Sequence, residues 1–149
     1  MREGANPERP GARDNAAPRS PRTEYVTLSL PPFAQYVQLA RVTASGLASR
    51  LGFSWDEVED LRLAVDELCH AVLVGAAADS LLKLRYSVDA TTLEVDVCLE
   101  VPLHGTRGER PALSELGDRI LAALVDSHGT RSELDQASLW IRKSKAPQA

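Results

Sequence analysis

The stretch Leu93-Glu94-Val95-Asp96-Val97-Cys98-Leu99-Glu100-Val101 places an apolar side chain at every second position. That period is typical of a β-strand with one buried face and one exposed face. Residues 81–88 alternate in the same way, and Asp89-Ala90 supplies turn residues between the two segments. Together they predict a hairpin in a sheet whose other face is polar.

Three segments with helical periodicity accompany this hairpin. Pro31-Pro32 fit the first turn of one helix, and Gly52 fits its C-terminal cap. Ser54-Trp55-Asp56-Glu57 has the form of a capping box and predicts a second helix that ends between residues 75 and 78. A third helix follows Pro111. The apolar positions that we expect to face the core are Phe33, Val37, Ala40, Ala44, Leu47 and Leu51 in the first helix, Val58, Leu61, Val65, Leu68 and Val72 in the second, and Leu113, Leu116, Ile120 and Leu124 in the third.

The remaining alternating segments complete the order of elements. Residues 25–30 predict a strand before the first helix, and residues 128–134 and 137–142 predict two short strands at the end. The order is therefore strand, helix, helix, strand, strand, helix, strand, strand. Because each helix has a single apolar stripe, we expect an α/β fold. It would be a two-layer sandwich in which three helices cover one face of a mixed, mostly antiparallel sheet.

Length and composition limit the classes of function. The 149 residues suit one domain, which we expect over residues 24–143, between a disordered tail at 1–23 and a frayed C-terminus at 144–149. The net charge of −4 argues against direct binding to nucleic acid or to an anionic membrane. No segment resembles a membrane span or a signal peptide. Cys69 and Cys98 suit buried thiols in a reducing compartment, so we expect a cytoplasmic protein.

One acidic residue of the second helix lies in an otherwise apolar stripe. Leu63, Glu67, Ala71 and Val74 follow one another at helical spacings, so they share one face of the helix. A carboxylate among apolar neighbours is a stronger base than a solvated one, which suits a general base. The alternative is that Glu67 is a solvated residue at the edge of an acidic helix.

The stretch Asp60-Leu61-Arg62-Leu63-Ala64-Val65-Asp66-Glu67-Leu68-Cys69 resembles the N-box helix of the anti-sigma regulatory serine kinases, within the superfamily of gyrase-, Hsp90- and histidine-kinase-type ATP-binding proteins. Leu116-Gly117-Asp118-Arg119-Ile120-Leu121 resembles a later helix of that family, and the likeness spans residues 24–143. The resemblance implies a Bergerat-type fold that binds a sigma factor, usually as a homodimer. In active members it also implies phosphorylation of a serine of an anti-anti-sigma antagonist with Mg-ATP. Glu67 matches the family's glutamate, the general-base equivalent of an active kinase.

The sequence departs from this family where the nucleotide and its metal would be held. Ala71 stands at the position of the asparagine that holds magnesium, and a methyl group cannot coordinate this cation. His70 is a poor substitute, because a shift of one residue turns a side chain by about 100° around the helix. His104 and His128 form no metal-ligand pattern, so no metal site is expected. The Asp-x-Gly-x-Gly box that reads adenine falls on Leu99-Glu100-Val101-Pro102-Leu103 and keeps none of its signature residues.

The loop before the third helix keeps part of the family's glycine-rich lid. In Gly105-Thr106-Arg107-Gly108, the two glycines are the residual cofactor-binding candidates. Glu109 and Glu115 bring negative charge to the place where phosphates would arrive. The alternative is a surface loop with no ligand.

These departures favour an anti-sigma factor without kinase activity. We expect it to sequester an alternative sigma factor, to be released by an anti-anti-sigma antagonist, and to need no cofactor. The first helix, which carries Gln35, Gln38, Arg41 and Arg50 off its apolar stripe, is the candidate partner surface. One alternative is an active serine kinase that uses ATP and magnesium, with Glu67 as the base. Another is an adaptor module unrelated to sigma factors.

Overall fold

A computed structural model describes residues 22–102, 110–133 and 136–147 of the chain. Its strands are β1 (Glu24–Leu30), β2 (Leu81–Val88), β3 (Thr92–Glu100), β4 (Ser127–Glu133) and β5 (Gln136–Ser144). Its helices are α1 (Val37–Leu51), α2 (Trp55–Leu73) and α3 (Glu115–Leu124). The strands form one sheet in the order β1-β2-β3-β5-β4, and the predicted two-layer α/β fold is confirmed. Every pairing among these strands is antiparallel, which agrees with the expected mostly antiparallel sheet but includes no parallel pair among the described strands.

The predicted hairpin is β2 and β3, and its register explains the alternation in the sequence. Tyr86 pairs with Val95 and Leu84 pairs with Val97, and these side chains are fully buried beneath the helices. The Tyr86 hydroxyl donates a hydrogen bond of 2.8 Å to the Ala40 carbonyl oxygen, which satisfies the polar end of this buried ring. The intervening β2 and β3 side chains point to the helix-free face of the sheet.

Helix α1 begins later than the sequence indicates. Pro31-Pro32 lie outside the helix, because the chain first makes a tight turn in which Phe33 N donates to the Pro31 oxygen, followed by a single 3-10 turn at Ala34–Tyr36. Its buried face is built mostly from small residues: Val37, Ala40, Ala44 and Ala48. Gly52 ends the helix with φ of 84°, which confirms the predicted C-terminal cap.

Helix α2 begins at the predicted capping box. Glu57 N donates to Ser54 Oγ (3.2 Å), and Ser54 N donates in return to Glu57 Oε2 (2.6 Å). The helix buries Leu61, Ala64, Val65, Leu68, Cys69 and Val72. It ends at Leu73, shortly before the predicted range of 75–78.

Helix α3 is rotated relative to the predicted orientation. Gly117 and Leu121 are its buried residues, whereas Leu116 is 68% exposed, so the assignment of Leu116 to the core is wrong. The physical reason is the close approach of the first turn of α3 to α2, for which the helix presents a glycine rather than a leucine. Leu113 and Leu124 pack against the core as predicted.

The ordered chain extends beyond residue 143 at its C-terminal side. Ser144 is the last residue of β5, and Lys145 N donates to the Thr91 oxygen at 2.7 Å. Ala146 N donates to Glu57 Oε1 at 2.7 Å. The expected tail lies almost wholly outside the described residues. Within those residues, no helix is both long enough and apolar enough to cross a membrane.

Candidate functional site

Glu67 lies where α2 meets the first turn of α3. Its side chain is half-buried, and its Oε1 would be 3.0 Å from a Cβ atom added to Gly117. Ser114 caps α3 by accepting a hydrogen bond from Gly117 N (2.9 Å), and its Oγ would be 3.2 Å from the same added atom. Because Gly117 has no Cβ, α3 can begin directly beside the Glu67 carboxylate. The structure therefore joins one predicted site residue to a helix N-terminus.

Ala71 lies one helical turn after Glu67 and packs against the hydrophobic core. Its methyl group offers no oxygen to a divalent cation. Among the described residues, no cluster of three or more His, Cys, Asp or Glu side chains could hold a metal ion. The residues at this position do not fit a magnesium site.

Negative charge collects around the start of α3. Glu115 and Asp118 lie in its first turn, close to the approach of Glu67. Glu115 pairs with Arg119 (3.2 Å), and Asp118 Oδ1 lies 2.7 Å from His128 Nε2. Carboxylates at a helix N-terminus stabilise the helix, but they disfavour the approach of phosphate groups to the same amides.

The position expected to recognise adenine is occupied by sheet structure. Leu99 of β3 pairs with Leu82 of β2, and the Leu99 side chain packs against the core. A leucine in that place cannot accept a hydrogen bond from an adenine amino group. Leu103 and the lid candidates Gly105 and Gly108 lie outside the described residues.

The sequence pattern did not reveal that this region is edged by exposed apolar side chains. Leu63 is 56% exposed, Val74 is 82% exposed and Leu116 is 68% exposed. Leu63 lies one helical turn before Glu67 on α2, whereas Val74 follows the last residue of the helix. The spacing of these residues was visible in the sequence, but their exposure depends on where α3 packs.

A second unpredicted cluster lies on the helix-free face of the sheet. Arg131 Nη1 donates to Glu94 Oε1 (2.7 Å) and to Asp96 Oδ1 (2.8 Å). The guanidinium also lies 4.7 Å from the centroid of the Trp140 ring. Burial raises the pKa of the Asp96 carboxyl, and the positive charge of Arg131 opposes that rise. This network joins four residues from three strands. Because these residues are far apart in the sequence, local sequence patterns do not predict it.

Cys69 is buried as its apolar surroundings suggested, whereas Cys98 is only half-buried and lies on the helix-free face of the sheet. Cys69 is fully buried, and burial raises the pKa of its thiol to about 12. Burial also raises the pKa of Cys98. Thiols with raised pKa values are poor nucleophiles at neutral pH, so neither is a candidate for catalysis.

The candidate partner surface on α1 is partly confirmed as exposed. Gln35, Gln38 and Arg50 are exposed. Arg41 is not a free surface charge, because its Nη1 forms a 3.0 Å ion pair with Asp66 of α2. Two apolar side chains that the sequence pattern did not single out, Leu39 (51% exposed) and Val42 (59% exposed), lie among these polar residues.

Comparisons with known proteins identify relatives over part of the chain. No protein-family model matches it. It is 36% identical over 81 residues to the serine-protein kinase RsbW of Bacillus velezensis. The matched region covers 52% of this chain and 51% of the relative. It is 36% identical over 80 residues to the RsbW of Bacillus subtilis and 38% identical over 77 residues to that of Bacillus licheniformis. The chain spans about half the length of the curated relatives it matches. Over about half of its length, the chain is therefore similar to the serine-protein kinases RsbW.

Proposed function

We propose that this chain is an anti-sigma factor that sequesters an alternative RNA polymerase sigma factor and has lost ATP-dependent kinase activity. An anti-anti-sigma antagonist would release the sigma factor by competing for the same face, so the outcome depends on relative affinities and concentrations. Such a regulator acts in the cytoplasm. The observation that carries the proposal is Ala71, which lies one turn from Glu67 on α2 and offers no metal ligand.

Three features of the described residues support the loss of nucleotide chemistry. Ala71 cannot hold magnesium, and neutralisation of charge by magnesium is central to phosphoryl transfer. Leu99 occupies the adenine position with a side chain that packs in the core. Glu67, Glu115 and Asp118 surround the helix N-terminus that would otherwise favour phosphate. We therefore derive no step through a bound nucleotide.

The exposed face of α1 is the proposed contact for the sigma factor. Leu39 and Val42 offer apolar area, and Gln35 and Gln38 offer hydrogen-bonding groups around it. Interfaces of this kind combine an apolar centre with a polar rim. A homodimer, as the family resemblance implies, remains part of the proposal. The mass of the purified complex would report both partner and stoichiometry.

The competing function is that of an active serine kinase, which the similarity to serine-protein kinases favours. In that case Glu67 would accept the proton of the substrate serine hydroxyl. Its half-buried position beside α3 is compatible with a base, but the residues around it do not fit the metal.

Calorimetry with Mg-ATP separates the two functions. We expect no heat of binding from the natural chain. We also expect co-purification with a sigma factor without added nucleotide, and retention of that sigma factor by Ala71→Asn. The matched control is Ala123→Asn, at an exposed position of α3. Saturable Mg-ATP binding that is lost in Glu67→Ala would instead support the hypothesis that the chain is an active serine kinase. Failure to hold any sigma factor would remove the regulatory role.

A further inference from the structure

A cavity of about 410 Å³ opens on the helix-free face of the sheet. The described residues that line it come from all five strands. Its volume falls within the range of about 300–1,000 Å³ that is usual for small-molecule sites. Glu67, Ala71 and Leu99, which were considered above for a nucleotide, do not line it. The cavity is therefore a separate feature of the molecule.

The strand register explains why the cavity lies in the middle of the sheet. Cys98 of β3 pairs with Ser138 of β5, so two small side chains lie side by side on this face. Lys83 of β2 and Arg131 of β4 continue the same row on either side with long side chains. A row that is short in its middle and long at both sides leaves a depression in the face.

The acidic residues among the described lining of the cavity lie away from its β2 side. Asp96 of β3 is engaged by Arg131, whose Nη1 donates to Asp96 Oδ1 at 2.8 Å. Glu133 is exposed on β4, which two intervening strands separate from β2 by a distance of about 14 Å. Neither carboxylate forms an ion pair with the basic residues of β2 among the described contacts.

The β2 side of the cavity carries two cations. Lys83 and Arg85 are two residues apart, so their side chains leave the same face of the strand about 7 Å from each other. The described residues offer Arg85 no ion pair, and its guanidinium lies 5.1 Å from the centroid of the Tyr25 ring. Lys83 has an exposed pair with Glu100 at 3.4 Å, which solvent weakens. One anionic group placed between them could contact both cations.

Neutral polar groups line much of the rest of the cavity. Thr27 and Ser138 supply hydroxyl groups, and Gln136 supplies an amide. The Gln136 Nε2 atom makes only long contacts in the described chain, 3.4 Å to Cys98 Sγ and 3.5 Å to the Leu99 oxygen. An amide held so weakly can turn to a ligand at little cost. Burial also raises the pKa of the Cys98 thiol, and the positive charge of Lys83 opposes that rise.

We propose that this cavity binds a small organic anion, whose carboxylate or phosphate group lies between Lys83 and Arg85 and whose polar remainder reaches Ser138 and Gln136. The two cations would supply most of the selectivity, because charge-assisted hydrogen bonds are stronger than neutral ones. A depression with small side chains at its centre suits a small molecule better than the flat surface of a protein. The inference does not depend on the proposed function, since the cavity lies on the opposite face of the sheet from the helices.

The test is an NMR titration of the isotope-labelled full chain at constant ionic strength. The probes are inorganic phosphate and succinate, with glycerol as an uncharged probe. At least one of the two anions should shift the amide signals of Lys83, Arg85, Cys98 and Ser138 in a saturable way, and glycerol should not. Tighter binding of phosphate would identify a phosphate ligand, and tighter binding of succinate would identify a carboxylate. Absence of saturation with both anions would overturn the proposal.

Matched variants test whether the anion binds in the cavity. Lys83→Gln and Arg85→Gln should each weaken binding by about fivefold, and Ser138→Leu, which fills the centre, by about tenfold. Arg142→Gln removes an exposed guanidinium from the same face outside the cavity, and Ser87→Leu adds the same bulk elsewhere on β2. Both controls should leave the affinity unchanged. Equal losses in the controls and in the cavity variants would overturn the proposal.

Two further outcomes would assign the cavity to another occupant. Contacts between Lys83 or Ser138 and residues 1–21 in the NMR spectra of the free chain would show that the chain itself fills the cavity. A dimer that Ser138→Leu dissociates would show that a second copy covers it. Either result would overturn the proposal. Retention of a sigma factor by the natural chain tests the proposed function separately, because none of these variants changes α1 or Glu67.

Discussion

The two ends of the helical layer are built differently. At one end, which we call the tied end, residues 143–146 reach a terminus of every helix. Lys145 Nζ donates to the Leu51 oxygen of α1 (3.3 Å), and Ala146 N donates to Glu57 of α2. Lys143 Nζ donates to the Leu124 oxygen of α3 (2.7 Å). At the other end, which we call the open end, Glu67 of α2 lies beside Gly117 of α3, and Val74 and Leu116 are each more than half exposed.

This difference separates residues that hold the fold from residues that are free to bind. Helix termini carry unsatisfied backbone groups, and cations at C-termini and carboxylates at N-termini stabilise them. The tied end has both kinds of interaction, so few of its polar groups remain free to bind a partner. Among the described residues, the open end keeps a carboxylate with no ion pair, together with exposed apolar area, and both are sources of binding energy. Substitutions at the tied end should therefore change stability, and those at the open end should change binding.

Among substitutions of the polar groups at the tied end, removal of the Lys143 ammonium should have the largest effect on stability. Lys143 is only 8% exposed, and it serves the Leu124 oxygen and lies 3.6 Å from Asp60. Lys143→Met keeps the aliphatic stem and should lower the free energy of unfolding by about 2 kcal/mol, because a charged hydrogen bond is lost and a carbonyl is left unpaired. Urea denaturation measures this change. Lys83→Met, which breaks an exposed pair with Glu100, should cost less than about 1 kcal/mol.

Glu57→Gln should have a smaller effect that depends on pH. Hydrogen bonds from the backbone of Ser54 and Ala146 hold the pKa of Glu57 below its ordinary value of 4.5. The folded state therefore favours the ionised form, and this contribution is present above pH 4.5 and is lost as the pH falls through the lowered pKa. At neutral pH we expect a loss of about 1 kcal/mol, the usual cost of a damaged cap.

Unfolding curves of the natural chain and Glu57→Gln at several pH values measure this loss. The two curves should converge in acid. Glu59→Gln, which removes an exposed pair with Arg62, is the matched control and should show a smaller difference. A gap between the natural chain and Glu57→Gln that is constant with pH would contradict the role of the charge.

Alanine should change the stability of the protein in opposite directions at two glycines of α1, one at its C-terminal cap and one in its interior. Gly52 has φ of 84° beside Lys145, and alanine there should cost about 1 kcal/mol. Gly46 lies within α1 with nothing near a Cβ position, so alanine should stabilise the protein by about 0.8 kcal/mol through helix propensity. Thermal melting of the two variants measures both changes. If alanine stabilised the protein at both positions, the left-handed geometry at Gly52 would not limit the substitution.

Much of the tied end was predictable from the sequence because its signals are local. The capping box at Ser54 and Glu57 and the cap at Gly52 are read from neighbouring residues, and the alternation in β2 and β3 gives the sheet its two faces. The ties from Lys143 and Lys145 were not predictable. A lysine is usually exposed, and nothing in a local pattern indicates that one will meet helix ends far away in the sequence.

The open end was less predictable because it depends on how α3 packs against α2. Leu113, Leu116, Ile120 and Leu124 fit a helical stripe, and the pattern gave no reason to leave Leu116 out. Gly117 adds nothing to a hydrophobic pattern, yet it sets the rotation of α3 by allowing contact with Glu67. The family resemblance located Glu67 and showed that Ala71 replaces the asparagine that holds magnesium. It did not indicate the exposed apolar side chains in this part of the protein.

The smallest effect on stability should come from Leu116→Ser at the open end. The side chain is already 68% exposed, so its removal from water on folding is slight, and we expect a change within about 0.5 kcal/mol. Leu121→Ala, five residues later on the same helix, empties a fully buried position and should cost about 2–5 kcal/mol. Urea denaturation of the two variants measures the contrast. A large loss for Leu116→Ser would mean that this leucine holds α3 in place, and the open end would then belong to the folding core rather than to binding.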